Sequence, residues 1–250
     1  MSVGECWVSF NAGILGLQRR GLPAVHGMGE LDRHSWYLLV ANHQTWVDII
    51  ILQTAFARRI PFLKFFIKQE LIWFPFLGLA WWALDMPFMK RYAKSWRARH
   101  PDRKNPDLEA TQAACEKFRQ VPTSVINFVE GTRATPQKVA RRQSPYAKLL
   151  PPKAGGIAYV LAAMGEKFAA VLDVTVVYPD GAPGFWTLCC GRVRRVIVEV
   201  RELPVEGWML QGDYLGDRNF RTAFQRWLTA MWQEKDARIV ALESGNSPAA

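Results

Sequence analysis

Apolar runs alternate with helical repeats along most of the chain. The run Trp36–Ala41 is typical of a buried strand, and Val47, Ile50 and Ile51 then recur at the spacing of one helix face. The other predicted elements are, in chain order, a strand at 61–68, an apolar helix at 69–84, a short strand at 86–91, a helix that begins at Asn105 and Pro106 and ends near Pro122, a strand at 124–129, a basic loop at 134–152, a helix at 154–165, strands at 171–178, 185–190 and 196–201, and an amphipathic helix that includes 220–231. Helices interleaved with apolar strands predict an α/β fold: a single domain with a central, mostly buried sheet flanked by helices.

The length of the chain, 250 residues, fits one domain with a full core. We expect that domain to occupy residues 1–242 and the small, polar end at 243–250 to be disordered. The longest apolar stretch, 71–89, is interrupted by prolines, a glycine and an aspartate, whereas a spanning helix needs about 20 mostly apolar residues. The sequence therefore predicts no membrane-spanning segment, and instead an apolar helix that is partly immersed at an interface.

Composition adds a preference for anionic partners. Eleven tryptophans suit a lipid interface as well as a core, and a net charge of +10 with a pI near 9.7 draws the chain towards nucleic acid or an anionic leaflet. Basic residues concentrate at 90–104 and 138–153, and the alternative is that both stretches are merely solvated loops. The cysteines have neither metal-ligand spacing nor a disulfide framework, so we expect them reduced in a cytosolic compartment, with Cys189 and Cys190 on opposite faces of a strand.

The first candidate for chemistry is the segment 42–48, where His43 follows the first buried strand and Asp48 comes five residues later. A carboxylate on one ring nitrogen fixes the tautomer of an imidazole, so the other nitrogen can take a proton from a substrate hydroxyl. The alternative is a histidine satisfied at a helix start, with Asp48 on the helix surface. No serine or cysteine stands in a nucleophile-elbow sequence, which favours direct attack by an activated hydroxyl over a covalent intermediate.

The second candidate is the segment 128–133, in which a very apolar strand is broken by Glu130, Gly131, Thr132 and Arg133. The carboxyl ends of strands are where open α/β folds gather ligands. Arg133 offers a planar fork suited to phosphate, Thr132 a small hydroxyl, and Gly131 a close backbone approach. The alternative is that Glu130 and Arg133 form an ion pair that closes a turn.

Together these segments resemble the glycerolipid acyltransferase family, which includes the 1-acylglycerol-3-phosphate acyltransferases. The resemblance rests on the His-x4-Asp spacing followed by Glu-Gly-Thr-Arg. Residues 84–91 resemble the family's second block, a strand that ends in a phosphate-contacting arginine, here Arg91, and residues 171–179 resemble its fourth block, which lines the acyl and acceptor site. Details at 84–92 and 149–156 most resemble the bacterial YihG-type branch. Lys90 and Asp173 depart from the family's pattern.

The resemblance implies an acyltransferase in which His43 is the general base and Asp48 orients it. Arg91 and Arg133 hold the acceptor phosphate, and Glu130, Gly131 and Thr132 shape that pocket. The expected donor is acyl-CoA or acyl carrier protein, and the expected acceptor is a lysophospholipid, foremost 1-acylglycerol-3-phosphate. We expect no cofactor and no metal.

The resemblance also places the protein on a membrane. We expect it on the anionic, cytoplasmic face of the inner membrane. Members of this branch tend to carry an N-terminal hydrophobic anchor, and we expect any such anchor to lie upstream of Met1. We keep two rival functions. A nucleic-acid-binding module would fit the charge but leaves the Glu-Gly-Thr-Arg strand end unexplained, so no nucleic-acid partner is expected. A thioester hydrolase would use the same histidine and aspartate on water.

Overall fold

The computed structural model describes residues 6–9, 13, 23–73, 77–89 and 106–244. The strands are β1 Ala24–His26, β2 Trp36–Ala41, β3 Leu63–Phe65, β4 Ile67–Lys68, β5 Phe88–Met89, β6 Ser124–Phe128, β7 Phe168–Val177 and β8 Ile197–Leu203. The α-helices are α1 Val47–Ala55, α2 Leu77–Ala83, α3 Pro106–Gln120, α4 Pro136–Arg141, α5 Ala154–Met164, α6 Phe185–Cys189, α7 Gly207–Leu210 and α8 Arg218–Glu243. There are also two 3₁₀ segments, Gln69–Trp73 and Gly165–Lys167, and residues 6–9 are helical.

The central sheet has six strands in the order β1-β8-β7-β2-β6-β3. Strands β7, β2, β6 and β3 run parallel, and β8 is antiparallel to β7. The carboxyl ends of β2, β6 and β7 therefore meet at one edge of the sheet. The residues that follow these three strands are consequently neighbours in space although they are far apart in sequence.

Both faces of the sheet are covered, which explains why its strands are apolar without alternation. On β2, Leu38 and Val40 pack into a core with residues of α3, α5 and α8, while Tyr37 and Leu39 pack into a second core with α1. This is the α/β domain with a central buried sheet flanked by helices that the sequence predicts. In the described part of the chain, no helix is both long and apolar enough to cross a bilayer.

Several predicted elements around the sheet differ from the structure. The strand expected at 61–68 is divided between β3 of the main sheet and β4, which pairs with β5 in a separate two-stranded sheet. The helix expected at 69–84 is a 3₁₀ turn followed by α2, with residues 74–76 outside the described range. The two pieces pack closely, because a Cβ at Gly78 would lie 1.9 Å from the carbonyl oxygen of Ile72.

Two segments were assigned the wrong structure from the sequence. The basic loop expected at 134–152 contains helix α4, which begins where the Thr135 side chain accepts a hydrogen bond from Lys138 N. The strand expected at 185–190 is helix α6, so Cys189 and Cys190 are both exposed and do not lie on opposite faces of a strand. A six-residue, mostly apolar run carries too little periodicity to separate helix from strand.

The chain ends need two further corrections. The short strand β1 at the sheet edge was not predicted. The C-terminal helix α8 continues to Glu243, which lies within the tail expected to be disordered, and residues 245–250 lie outside the described range. The domain boundary at 242 stays a prediction.

Candidate active site

His43 and Asp48 form the centre of the site. His43 follows β2 at the carboxyl edge of the sheet, and Asp48 lies in the first turn of α1. The Nδ1 atom of His43 is 2.9 Å from Oδ2 of Asp48, and the histidine side chain is 15% exposed whereas the aspartate is fully buried. Within the described part of the chain the other ring nitrogen, Nε2, has no hydrogen-bond partner. The alternative that Asp48 lies on the helix surface is therefore wrong.

The Asp48 carboxylate is fixed from several sides. Its Oδ2 atom accepts hydrogen bonds from the backbone N–H groups of Gln44 at 2.6 Å and Thr45 at 2.9 Å, and its Oδ1 atom accepts one from the Tyr178 hydroxyl at 2.7 Å. Burial, and then the charge of Asp48, raise the pKa of Tyr178 well above its ordinary value, so the phenol stays protonated and donates. Tyr178 follows β7, which brings it to the same sheet edge as His43.

The His43 ring is held by its neighbours as well as by Asp48. It stacks on Phe128, the last residue of β6, with ring centroids 4.3 Å apart and planes at 24°. On the β7 side, the side chain of Asn42 exchanges two hydrogen bonds with the backbone of Val176. The histidine is thus placed by all three strands whose carboxyl ends meet here.

Glu130 lies behind the histidine and binds backbone. It is fully buried; its Oε1 atom accepts from His43 N at 3.1 Å and its Oε2 atom from Leu150 N at 3.1 Å. Burial raises the pKa of Glu130 to about 7, against the lowering effect of these two hydrogen bonds. The alternative of an ion pair between Glu130 and Arg133 is not found among the described residues.

The loop after Glu130 passes directly beside His43. Gly131 has a φ of +66°, a conformation that favours glycine, and Ala134 N donates to the carbonyl oxygen of His43 at 2.7 Å. A Cβ at Gly131 would lie 2.9 Å from Lys153 Nζ, so the glycine also admits this lysine close to the loop. The loop is therefore shaped by backbone conformation as well as by its polar side chains.

Two cationic side chains lie at this loop, Arg133 within it and Lys138 on the following helix α4. The Arg133 guanidinium lies 5.1 Å from the ring centre of Trp46, an exposed residue, and pairs with no carboxylate in the described ranges. Lys138 Nζ donates to Thr132 Oγ1 at 2.9 Å and to the Arg133 carbonyl oxygen at 3.1 Å. Arg91, the other predicted phosphate ligand, lies outside the described residues.

The described residues contain no group of three or more histidines, cysteines, aspartates and glutamates close enough together to hold a metal ion. What the arrangement offers is a partly exposed histidine with one ring nitrogen bound to a carboxylate and the other without a hydrogen-bond partner among the described residues.

A sequence model of the acyltransferase family matches residues 23–179, which include all of the site just described. The chain belongs to the acyltransferase family. Two relatives, 1-acyl-sn-glycerol-3-phosphate acyltransferase delta of Mus musculus and of Rattus norvegicus, are each 26% identical to it over 214 residues, which cover 80% of this chain and 51% of theirs. The acyltransferase chain thus spans about half the length of the curated relatives it matches.

Among solved structures, the 1-acyl-sn-glycerophosphate acyltransferase PlsC of Thermotoga maritima is similar with a TM-score of 0.49 and 18% identity, over 89% of this chain and 79% of that one. The assignment to the YihG-type branch stays a prediction.

Sequence reasoning missed some residues that this acyltransferase brings to its site. Tyr178 and Lys138 contact predicted site residues, and neither was singled out. Tyr178 stands at the end of an apolar run that predicts a strand, so its position at the sheet edge could be predicted. Its hydrogen bond to Asp48, 130 positions away, could not.

Proposed function

We propose that this acyltransferase moves a fatty acyl group from a thioester to the free hydroxyl of a lysophospholipid, with 1-acylglycerol-3-phosphate as the best candidate acceptor. The observation that carries the proposal is the pair His43–Asp48, with Nδ1 held at 2.9 Å and Nε2 left for substrate. The names of the two mammalian relatives support the choice of acceptor.

In the proposed reaction His43 Nε2 accepts the proton of the acceptor hydroxyl while the oxygen attacks the thioester carbonyl carbon. The tetrahedral intermediate then collapses, the C–S bond breaks, and the imidazolium returns the proton to the departing sulfur. Asp48 keeps the tautomer that presents Nε2 and stabilises the transient positive charge. The chain itself is never acylated.

The oxyanion that forms at the thioester carbonyl needs hydrogen-bond donors, and the backbone amides that follow His43 are candidates. The amides of Gln44 and Thr45 already donate to Asp48. The amide of Trp46, at the N-terminus of α1, has no partner within the described ranges, and helix N-termini favour negative charge. We therefore assign the oxyanion contact to Trp46 N rather than to its two predecessors.

The acceptor phosphate is assigned to the loop after Glu130. Arg133 provides the charge and the planar fork, and its guanidinium is oriented by its contact with the Trp46 ring. Lys138, which fixes Thr132 and the Arg133 carbonyl, adds a second cation. Arg91 is proposed for the same phosphate on the family resemblance alone. Another phospholipid head group would use the same contacts and is the first alternative.

Membrane association is proposed from the exposed apolar surface of the 3₁₀ turn and α2. Trp73 is 85% exposed, and Leu79 and Trp82 are each 67% exposed. Large apolar side chains this open, with tryptophan prominent among them, are typical of a lipid interface. We propose that the enzyme lies at the cytoplasmic face of the inner membrane, with its basic stretches at 90–104 and 138–153 toward anionic lipid.

The function is tested by incubating the purified protein with labelled acyl-CoA, or labelled acyl carrier protein, and a panel of lysophospholipids. The proposal predicts label in diacyl lipid, most strongly with 1-acylglycerol-3-phosphate. Label only in free fatty acid would instead establish a thioester hydrolase. If the protein retained RNA or DNA on a filter at physiological salt and showed no acyl transfer, a nucleic-acid-binding function would be favoured.

A further inference from the structure

Helix α8 lies beyond residues 23–179, the part of the chain that the family model matches. Three of its residues, Trp232, Lys235 and Asp236, have the spacing of one helix face and are all buried. Each of them binds backbone or side chains close to the active site. This helix face is therefore a candidate for a role in the reaction that the family match alone does not assign.

Lys235 crosses the core to the carboxyl ends of two strands. Its Nζ atom lies 2.5 Å from the carbonyl oxygen of Val174, 3.3 Å from that of Val40, and 2.6 Å from Oδ1 of Asp173. Val40 is three residues before His43. A fully buried ammonium is very costly without such partners, so its position fixes the strand ends that it touches.

Trp232 and Asp236 hold the segment behind Glu130. The Asp236 carboxylate accepts hydrogen bonds from the backbone N–H groups of three successive residues, Ala147, Lys148 and Leu149, and Trp232 Nε1 donates to the carbonyl oxygen of Leu150 at 2.9 Å. Leu150 N in turn donates to Glu130, whose other oxygen accepts from His43 N. A continuous set of hydrogen bonds thus leads from α8 to the backbone of the histidine.

We propose that α8 is the positioning element of the active site: Lys235 holds the carboxyl-terminal parts of β2 and β7, Trp232 and Asp236 hold the segment that binds Glu130, and together they keep the backbone of His43 in the working position. These are positioning residues, because they reach the histidine only through other groups. The proposal rests on the proposed function for its kinetic readout. It also explains Asp173, one of the two departures from the family pattern, as the partner of a lysine from outside the matched region.

The ionisation of Glu130 gives this proposal a distinctive signature. The charged groups that face the carboxyl are Lys235 from α8, which lowers its pKa, and Asp48 from α1, which raises it; burial dominates and brings the pKa to about 7. Protonation turns one Glu130 oxygen into a hydroxyl, which is a much weaker acceptor for its N–H partner, so the positioning by Glu130 weakens as the pH falls through that value. Removing the Lys235 charge raises the pKa of Glu130 further. In a plot of kcat against pH, the acid limb, where kcat falls towards low pH, then moves to higher pH.

The experiment compares Lys235→Met with Arg238→Met in the full-length protein. Methionine keeps most of the buried stem and removes the charge. The control removes a cation from the same helix, three residues on, where Arg238 pairs with Glu199 of β8. For Lys235→Met we expect kcat to fall roughly ten- to a hundredfold, as for a small misplacement of a reacting group. KM for both substrates should stay near the wild-type values, and the acid limb of the kcat–pH profile should move to higher pH. The control keeps the wild-type kcat and acid limb.

Three results would overturn the proposal: an unchanged kcat and acid limb in folded Lys235→Met, a raised KM at unchanged kcat, or the same loss in both variants. If Lys235→Met does not fold, the near-isosteric Asp236→Asn decides the question. A lower kcat at unchanged KM supports the proposal, and a wild-type kcat contradicts it.

A readout without turnover separates this inference from the proposed function. The titration of Glu130, followed by carbon-13 NMR of labelled carboxyl groups, should move to higher pH in Lys235→Met and stay in place in Arg238→Met. If the titration of Glu130 did not move in Lys235→Met, the role of Lys235 would be refuted. This holds even if the wild-type protein transferred no acyl group to any lysophospholipid.

Discussion

Replacing Tyr178 by Phe removes a single hydrogen bond to Asp48, the aspartate of the proposed catalytic pair. The phenol donates to Asp48 Oδ1 at 2.7 Å in a buried setting. A hydrogen bond to a charged group contributes about 1.5–3 kcal/mol, which corresponds to roughly ten- to over a hundredfold in rate if it acts fully in the transition state. Asp48 keeps the two backbone donors on Oδ2, so we expect the lower limit, a fall in kcat of about tenfold at unchanged KM.

Tyr37→Phe is the matched control. Tyr37 and Tyr178 are each 3% exposed. The Tyr37 hydroxyl, however, accepts its hydrogen bond from Asp32 N, which precedes the amino end of β2, whereas the candidate site lies at the carboxyl end. Each variant loses one hydrogen bond, which should destabilise the fold by about 1 kcal/mol in Tyr37→Phe and by about 1.5–3 kcal/mol in Tyr178→Phe. Initial rates of labelled acyl transfer and thermal unfolding midpoints are measured for the two. Equal kcat values in both variants would refute the assignment of Tyr178 to the catalytic pair.

Three further outcomes are expected. Arg133→Ala should raise the KM for the lysolipid roughly ten- to over a hundredfold with only partial rescue by Lys, because an ammonium lacks the planar fork; a raised donor KM with an unchanged acceptor KM would move Arg133 to the thioester side. Trp73→Ala combined with Trp82→Ala should weaken the salt-resistant part of sedimentation with anionic liposomes and leave the salt-sensitive part; unchanged sedimentation would count against this surface. Alkylation of the exposed cysteines should leave acyl transfer intact, and an acyl-enzyme found on any cysteine or serine by intact mass would rule out direct transfer.

The sequence allowed good prediction where local pattern and burial agree. Strands β2, β6 and β7 are predominantly apolar because both faces of the sheet are covered, and the carboxyl end of each lies within one residue of the predicted position. The pair His43–Asp48 could also be predicted, because Asp48 follows His43 by only five residues, about one helical turn.

Contacts between distant segments could not be predicted in the same way. The hydrogen bond from His43 N to Glu130 joins residues 87 positions apart, and that from Tyr178 to Asp48 joins residues 130 apart. Such pairs depend on the order of strands in the sheet, which apolar runs do not encode. Lys235 is a further example, since a lysine in an amphipathic helix is ordinarily solvated, and its burial follows only from the location of Asp173 on β7.

The central claim, that His43 activates the acceptor hydroxyl, is tested most directly by single-turnover acyl transfer to 1-acylglycerol-3-phosphate in His43→Ala. General-base catalysis contributes ~10²–10⁴-fold, and the account predicts a loss of that size at an unchanged unfolding midpoint, with Asp48→Asn nearly as low. Transfer at close to the wild-type rate by a folded His43→Ala protein would contradict the mechanism.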